Sequence, residues 1–511
     1  MEDIMGVTQF NKTAKNAMWR NAVWPESPDR TDSVFDRRAP FRKLRVMIDS
    51  ELFDESTTSD MRGTPTKGLL LRSLLYNDLI ELYRYTETPP ASVEPIETGN
   101  PNIEPTYEGY AVLYPQKSNG LCPVTYALDD KNASYSGVMG DLYTAARDDA
   151  TDKTYTGDDA ADKRQADAIA VQVADDCIDA DIYITTRPYL YAPSRRIAAG
   201  RAITICQPDD AISAVSLYLR AQREFIIPTG QKKFRYHLNR GMFYWVGMRE
   251  LVPETWRWFS ACVHHSSGTK DDKLMYLASA VMSRMQRSLE LRDQIHIGIN
   301  SKTNNDINDD VLGTFDNTLM TLMGAIDASA RVAHYVLGMN PAKAHNAAWQ
   351  RDWIKDVAKL DANLAAAVAK GSDNAHRLTV LTKLRNSIHG EAIKGITKQS
   401  GNKTETILGL PKDDEADILL SMDALGGRDA WGVKPLGANL NEVNPATLVD
   451  KLFEEVVILV NDLMRATPVE KLSHVQAANL TNMPPPPKDN HPTSDTFSEW
   501  NRLTIRWQLG F

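Results

Sequence analysis

Short apolar runs alternate with helical spacing in the N-terminal half of the chain. Residues 44–48 form a mostly apolar run that ends at Asp49, which is typical of a buried strand. From Leu69 to Tyr83, leucines recur at helical spacing and predict one helix. Further along, we predict strands at 181–185 and 202–205, helices at 166–177 and 208–223, and a short helix at 197–199. Strands that alternate with helices indicate a parallel sheet, so we expect an α/β domain over 41–225.

Two stretches of this half lack such periodicity. Residues 1–40 are polar and are predicted to form an irregular arm. Residues 86–157 are rich in Pro, Gly, Asn and Asp, with one short strand pattern at 110–114. A structureless connection of that length is unusual inside a compact domain. We therefore interpret 86–157 as a long insert in the α/β domain.

The C-terminal half shows helical periodicity almost throughout. Residues 226–270 are rich in aromatics and are interpreted as a connector layer, with a base-stacking platform as the alternative. Residues 271–470 predict an all-α bundle of antiparallel helices joined by short connections. Its long helices are expected at 274–297, 311–338, 349–370, 377–393 and 448–464. Because Pro484 to Pro487 cannot be helical, residues 471–511 are predicted as an extended tail.

Composition and charge narrow the classes of function. With 511 residues, 42% of them hydrophobic and 24% charged, the chain is typical of a globular protein of several domains. It lacks the roughly 18 unbroken apolar residues that cross a bilayer and the apolar segment of a secretory signal, so we expect a cytoplasmic protein with no membrane partner. The net charge of −9 gives no support to broad binding of nucleic acids but permits a local basic groove. The four cysteines form no C-x-x-C pair, which predicts reduced and mostly buried thiols.

Candidate chemistry in the C-terminal half lies in the string Leu384-Arg385-Asn386-Ser387-Ile388-His389-Gly390. Arg385 and His389 are four positions apart, so a helix would place them on one face. A guanidinium can hold and stabilise a phosphate, and an imidazole can move protons near neutral pH. An RNA 2′-hydroxyl supplies an internal nucleophile, so this pair requires no metal ion.

This string resembles the mark of the HEPN superfamily, in which an Arg followed by Asn, Asp or His precedes a His on the final core helix. The resemblance covers about 271–394, although the spacing from Arg to His is shorter here than is usual in the family. It implies metal-independent RNA cleavage, with His389 as general acid or base, Arg385 as the phosphate contact and Asn386 as a support. It also implies a homodimer, because two such domains often build one active site. The alternative is that Arg385 and Asn386 form hydrogen bonds within the bundle and His389 caps a helix.

The N-terminal half resembles a PIN-like nuclease domain. Such a domain opens with a strand that ends in Asp, here Asp49, and later has a helix beginning with Asp, here Asp167, before a strand that ends in Thr. The resemblance implies Mg²⁺ or Mn²⁺ held by Asp49 and Asp167. A third carboxylate would come from Asp78 or Glu81 on the predicted helix, and the sequence leaves that choice open.

Arg187 departs from the PIN-like pattern, because the family often has an Asp just after the Thr strand. An arginine there would repel a metal ion and could hold a phosphate instead. The sequence therefore favours altered chemistry over an active metallonuclease, with at most weak metal binding near Asp49 and Asp167. The structural alternative makes Asp49 a turn or cap residue and Asp167 an N-cap.

Two functions from different classes follow from these motifs. The first is an RNA-directed endoribonuclease or RNA-binding effector, in stress response or in defence against foreign genetic elements. The second is a non-catalytic sensor or scaffold that binds a nucleotide or phosphorylated ligand at Arg187 and dimerises through the helical bundle. Exposure of Arg385 and His389 in an open groove would favour the nuclease, and burial of both with satisfied hydrogen bonds would favour the scaffold.

Overall fold

A computed structural model gives the fold of most of the chain. It describes residues 7–8, 43–52, 65–86, 95–96, 106–128, 132–198, 203–228, 235–301, 305–350, 352–389, 393–400, 403–436, 441–480 and 497–511. The chain divides into two compact units. The α/β unit comprises Met1–Leu238, Gln399–Thr404 and Trp507–Phe511, and the helical unit comprises Asn239–Lys398 and Glu405–Arg506.

Twelve strands and four helices are described in the first 238 residues. The strands are β1 (Val7–Thr8), β2 (Leu44–Asp49), β3 (Ile80–Thr86), β4 (Pro95–Ile96), β5 (Thr106–Leu113), β6 (Leu121–Ala127), β7 (Ser134–Met139), β8 (Ile182–Ile184), β9 (Ile197–Ala198), β10 (Thr204–Cys206), β11 (Ile226–Pro228) and β12 (Arg235–His237). The helices are α1 (Lys67–Leu75), α2 (Thr144–Arg147), α3 (Ala160–Gln172) and α4 (Pro208–Ala221).

One large sheet organises the α/β unit, in the order β10-β8-β2-β3-β5-β6-β7, with β4 paired to β5. Strands β10 to β5 in this order are parallel, and β6 and β7 continue the sheet in antiparallel pairing. Ranked along the chain, the parallel strands stand in the doubly wound order 3-2-1-4-5. Such sheets bind ligands at the carboxyl ends of the strands, where the order reverses. That position lies between β2 and β8 and holds Asp49.

Strand β2 has the composition that such a central position demands. Met47 belongs to an apolar core that includes residues of α3, while Val46 and Ile48 alternate to the opposite face. All three side chains are fully buried. Parallel strands buried on both faces are near-continuous apolar runs, which is why 44–48 could be recognised from sequence. The predicted parallel α/β domain is therefore confirmed.

Three predictions for this unit are wrong. The helix predicted over 69–83 ends at Leu75, and β3 follows a turn in which the Asn77 side chain accepts a hydrogen bond from the Leu79 amide at 3.0 Å. The predicted insert at 86–157 instead supplies β5, β6 and β7 to the main sheet. The short helix predicted at 197–199 is strand β9, which pairs with β1.

The rest of the chain is mostly helical. Its helices are α5 (Arg240–Leu251), α6 (Glu254–Thr269), α7 (Lys273–Asn300), α8 (Asn305–Val336), α9 (Asp352–Leu360), α10 (Ala362–Ala366), α11 (Asp373–Asn386), α12 (Glu415–Ala424), α13 (Pro445–Ala466) and α14 (Glu499–Gln508). Four strands form a small sheet in the order β13-β14-β16-β15, namely β13 (Lys394–Ser400), β14 (Lys403–Gly409), β15 (Val433–Pro435) and β16 (Asn441–Val443).

A long antiparallel hairpin of α7 and α8 forms the centre of the helical unit. Val311 approaches Gly298 near the connection, and Arg284 approaches Gly324 further along, so the two helices run in opposite directions. In the described residues, no helix is both long and apolar enough to cross a membrane. All four cysteines are unpaired and buried, as predicted.

A buried ionic cluster joins α7 to α13. Asp450 accepts a hydrogen bond from the Arg292 Nε at 2.5 Å and lies 2.7 Å from the His296 Nε2. These three side chains are at most 3% exposed. Burial alone would raise the pKa of Asp450, but Arg292 and His296 together hold it below its ordinary value. The carboxylate is therefore charged in the folded protein at neutral pH.

The predicted all-α bundle is wrong in its composition, because β13 to β16 interrupt the helices. The predicted connector at 226–270 is largely helical, since α5 and α6 begin after Asn239. The predicted extended tail contains α14, whereas 484–487 lies outside the described residues. Of the predicted arm at 1–40, the structure describes only the two residues of β1.

Candidate functional site

Arg187 forms an ion-pair centre at the carboxyl end of the parallel strands. It follows β8, and its guanidinium lies between Asp49, at the end of β2, and Asp167, on α3. The Arg187 Nε lies 3.2 Å from one Asp49 oxygen, and its Nη1 lies 3.2 Å from an Asp167 oxygen. The Nε also donates to the Tyr183 hydroxyl at 3.0 Å, and the guanidinium lies 5.5 Å from the centre of the Tyr85 ring.

The two carboxylates of this centre also accept hydrogen bonds from hydroxyl groups. Asp49 accepts from the Tyr183 hydroxyl at 2.7 Å and from the Thr185 hydroxyl at 2.5 Å. Asp167 accepts from the Tyr155 hydroxyl at 2.8 Å. Both aspartates are only 2% exposed, whereas the Arg187 side chain is 25% exposed. The carboxylates are thus satisfied by protein groups, with Arg187 as their cation.

Burial and charge act in opposite directions on this centre. Burial raises the pKa of Asp167, against the lowering effect of Tyr155 and Arg187. For Arg187, burial alone would lower the pKa, but Tyr183, Asp49 and Asp167 raise it above its ordinary value. Arg187 therefore stays protonated and supplies the positive charge that a metal ion would supply between two carboxylates.

The structure brings the two predicted metal ligands together but not a third carboxylate. Asp78 lies in the turn after α1, and Glu81 lies near the start of β3 rather than on a helix. Glu81 pairs with Arg45 at 3.0 Å, toward the opposite end of the sheet from Asp49. Asp167 lies well inside α3, which begins at Ala160, so it is not an N-cap. Within the described residues, no group of three or more carboxylate, histidine or cysteine side chains is placed to hold a metal.

The Arg-Asn-x-x-His string lies at the end of α11. The α-helix stops at Asn386, and a 3-10 turn covers Ser387–His389, in which the Ser387 hydroxyl donates to the Leu384 carbonyl at 2.5 Å. The α-helix that was expected to carry both residues therefore ends between Arg385 and His389, and their sharing of one face stays a prediction. The side chain of His389 lies outside the described residues.

Arg385 is engaged by fewer protein groups than Arg187 is. It is partly exposed, and its Nη1 donates to the exposed Asn386 side chain at 3.2 Å. Its Nε is buried and lacks a hydrogen-bond partner in the part of the chain that the structure describes. A buried donor without a partner is unfavourable, so this end of α11 is suited to an acceptor from a ligand or from ordered solvent.

Three residues that the sequence reasoning missed lie near Arg385. Burial raises the pKa of Asp327, on α8, while Arg385, Arg331 and Arg284 act through space to lower it. These four residues are called the arginine cluster below. Asp327 and Arg331 are one helical turn apart on α8, and Arg284 reaches the same helix from α7, over Gly324. The sequence holds all four residues, but it does not give the register of α7 against α8.

The two sites differ in how their charges are compensated. One guanidinium contacts two buried carboxylates in the α/β unit, whereas in the arginine cluster three guanidiniums act on one carboxylate through space, without an ion pair among the described residues. The second arrangement is the better candidate for an anionic substrate, because it retains positive charge. Comparison of the chain with family models, with curated proteins and with solved structures found no match.

Proposed function

We propose that the helical unit is an RNA-directed endoribonuclease of the HEPN type that cleaves without a metal ion. The proposal rests on the exposure, hydrogen bonding and charged surroundings of Arg385. This guanidinium is partly exposed, keeps a buried Nε without a partner among the described residues, and lies in a cluster with net positive charge. Among the described residues, the one hydrogen bond of the Arg385 side chain is that to Asn386, so the intrabundle bonding that the structural alternative requires is limited to this contact.

In the proposed reaction, the RNA 2′-hydroxyl attacks the adjacent phosphorus and the bond from phosphorus to the 5′-oxygen breaks. The products are a 2′,3′-cyclic phosphate and a 5′-hydroxyl. His389 takes the proton from the 2′-oxygen or gives one to the leaving 5′-oxygen. Arg385 stabilises the charge that develops on the phosphate oxygens, and Asn386 orients Arg385 through their 3.2 Å hydrogen bond.

The α/β unit contributes no metal chemistry in this proposal. We regard it as a PIN-like domain in which Arg187 replaces the cation between Asp49 and Asp167. The rival function, a sensor that binds a nucleotide or phosphorylated ligand at Arg187, is weaker, because two carboxylates already engage this guanidinium at 3.2 Å. A phosphate there would have to displace at least one of them, against the repulsion of the other.

The decisive experiment incubates purified protein with mixed RNA, with and without EDTA. We expect cleavage in both conditions, cyclic-phosphate ends on the products, and no cleavage of RNA that is 2′-deoxy at the cut position. His389→Ala should abolish cleavage, and Arg385→Gln should lower the rate by about 10²-fold, the effect of losing one charge-stabilising donor. Light scattering should give the mass of a homodimer, because the resemblance implies a site built by two helical units.

His345→Ala is the matched control, since this histidine is exposed in the 3-10 turn Pro341–Asn346 and lies outside the string. It should cleave like the wild type. Circular dichroism should show unchanged folding for all variants. Equal cleavage by wild type and the His389 variant, or cleavage that EDTA abolishes, would refute the proposal.

A further inference from the structure

We propose that Arg284 and Arg331 join Arg385 in one binding site for the RNA backbone, and that Asp327 is the internal counter-charge that limits its affinity. The choice of RNA as ligand rests on the proposed function. The site itself rests on the position of these side chains on three helices. None of the four residues other than Arg385 belongs to the string that suggested cleavage.

The Arg284 side chain approaches α8 at Gly324. Glycine is unfavourable inside a helix, so position 324 in the 32-residue helix α8 needs a reason. A Cβ there would lie 2.9 Å from the Arg284 Nε and 3.1 Å from its Cδ. A methyl group at position 324 would therefore require a small shift of the flexible Arg284 side chain. This contact places the guanidinium one turn from Asp327.

Arg331 and Arg385 complete the cluster from two directions. Arg331 is exposed and follows Asp327 by one turn on α8, while Arg385 comes from the end of α11. Among the described residues, none of the three arginines forms an ion pair within 4 Å, and all three act on Asp327 through space. A guanidinium that is not paired with a carboxylate can donate two parallel hydrogen bonds to the oxygens of one phosphate.

Charge decides what this cluster binds. Three guanidiniums and one carboxylate leave two positive charges in excess, which suits consecutive phosphates of one strand. Asp327 is partly buried, so its charge is screened less than that of a surface carboxylate. In the free protein it offsets the repulsion among the arginines, and in the complex it repels the phosphate. Removing its charge should therefore tighten RNA binding, the opposite of the effect of removing an arginine.

Fluorescence anisotropy with a labelled 2′-O-methyl RNA tests the site apart from cleavage, because this probe lacks the attacking hydroxyl. We expect Arg284→Gln and Arg331→Gln each to weaken binding by about tenfold, as for one lost charge-assisted hydrogen bond. Each should also reduce the slope of log affinity against log salt concentration, by the amount that corresponds to about one phosphate contact. Asp327→Asn should strengthen binding by several-fold.

Two further variants distinguish an effect of the arginine cluster on RNA binding from an effect of unfolding or of the loss of any one positive charge. Gly324→Ala keeps every charge and requires only a small shift of Arg284, so it should weaken binding less than Arg284→Gln does. Arg428→Gln removes an exposed arginine that pairs with Asp423 at 2.9 Å, and it should bind like the wild type. Thermal unfolding of each variant would show that the fold is kept.

The outcomes distinguish this inference from the proposed function. If Arg284→Gln and Arg331→Gln bind the probe like the wild type, or if Asp327→Asn weakens binding, the inference is wrong, whatever the cleavage assay shows. If these variants behave as expected but cleavage does not depend on His389, the phosphate site stands and the nuclease assignment falls.

Discussion

Replacing Arg187 with Met would remove the cation between two buried carboxylates while keeping an unbranched apolar stem. Both carboxylates would remain at 2% exposure, with Tyr183, Thr185 and Tyr155 as their remaining donors. Breaking a buried ion pair by removing one partner costs about 3–5 kcal/mol. The Arg187 side chain is 25% exposed, which admits some hydration, so we expect a loss near the lower limit, about 3 kcal/mol.

Companion variants distinguish the loss of stability caused by unpaired buried charges from the loss caused by weaker packing. Adding Asp49→Asn and Asp167→Asn to Arg187→Met removes the two stranded charges, so most of the lost stability should return, with about 1 kcal/mol still missing for weaker hydrogen bonds. Lys67→Met is the matched control in the same unit. Its pair with Asp209 has side chains 45% and 59% exposed. Exposed pairs contribute about 0–1 kcal/mol, so this variant should stay close to the wild type.

Hydrogen exchange followed by mass spectrometry is the suitable assay, because it reports the opening free energy of the α/β unit separately in a chain with two units. Mn²⁺ provides a second test. It should slow exchange in β2 and α3 of the Arg187→Met variant, where two carboxylates lack a cation, and should have no effect on the wild type. Equal exchange of wild type and variant without metal, or tight Mn²⁺ binding by the wild type, would refute the view that Arg187 replaces a metal ion.

Two remaining predictions concern stability. The pKa of Asp450 lies below its ordinary value, so its pairing stabilises the fold fully above about pH 4, and this stability is lost as the pH falls below that value toward the pKa of the folded state. Asp450→Asn should remove this acid dependence from urea unfolding measured between about pH 2 and pH 5. An unchanged pH profile would contradict the prediction. In β5, a methyl group at position 109 would meet the Ala127 carbonyl oxygen, so Gly109→Ala should cost about 1–3 kcal/mol in thermal unfolding. Gly68→Ala on α1, where the space is open, should be neutral or stabilising by up to about 1 kcal/mol, and equal effects at both positions would refute the steric reason.

Local patterns predicted the parallel core because its strands carry their own signal. The apolar run of β2 and the alternation of strands with helices suffice for a doubly wound region. Of strands β5 to β7, only β5 gave a strand signal, at 110–114; all three are flanked by Pro, Gly and Asn, and β7 has four exposed residues in a row. Their place in the sheet depends on the pairing of β5 with β3, which is a tertiary contact, and then on the pairing of β6 with β5 and of β7 with β6. Helical spacing over 69–83 was misleading because Leu82 is buried in strand β3, and Leu79 is buried in the turn before it.

Residue types indicated chemistry more reliably than they indicated partners. Arg187 was expected to disturb a metal site from its position after the Thr strand, but its engagement with both carboxylates depends on α3 packing against the sheet. Arg385 was found from its own string, whereas Arg284 and Asp327 lie far from it in sequence. Only the pairing of α7 with α8 brings these side chains together, and no local pattern fixes that register.

The net charges of the two sites lead to one expectation about the proposed RNA binding. The Arg187 centre has two carboxylates for one guanidinium, so any phosphate that approaches it meets a net negative charge. The arginine cluster has the reverse balance, in a chain whose overall charge is −9. The whole molecule therefore offers little long-range attraction to a polyanion, and the proposed RNA binding would depend on a few local contacts. For that reason, single substitutions in the arginine cluster should have large effects on binding, while exposed lysines and arginines elsewhere should have little.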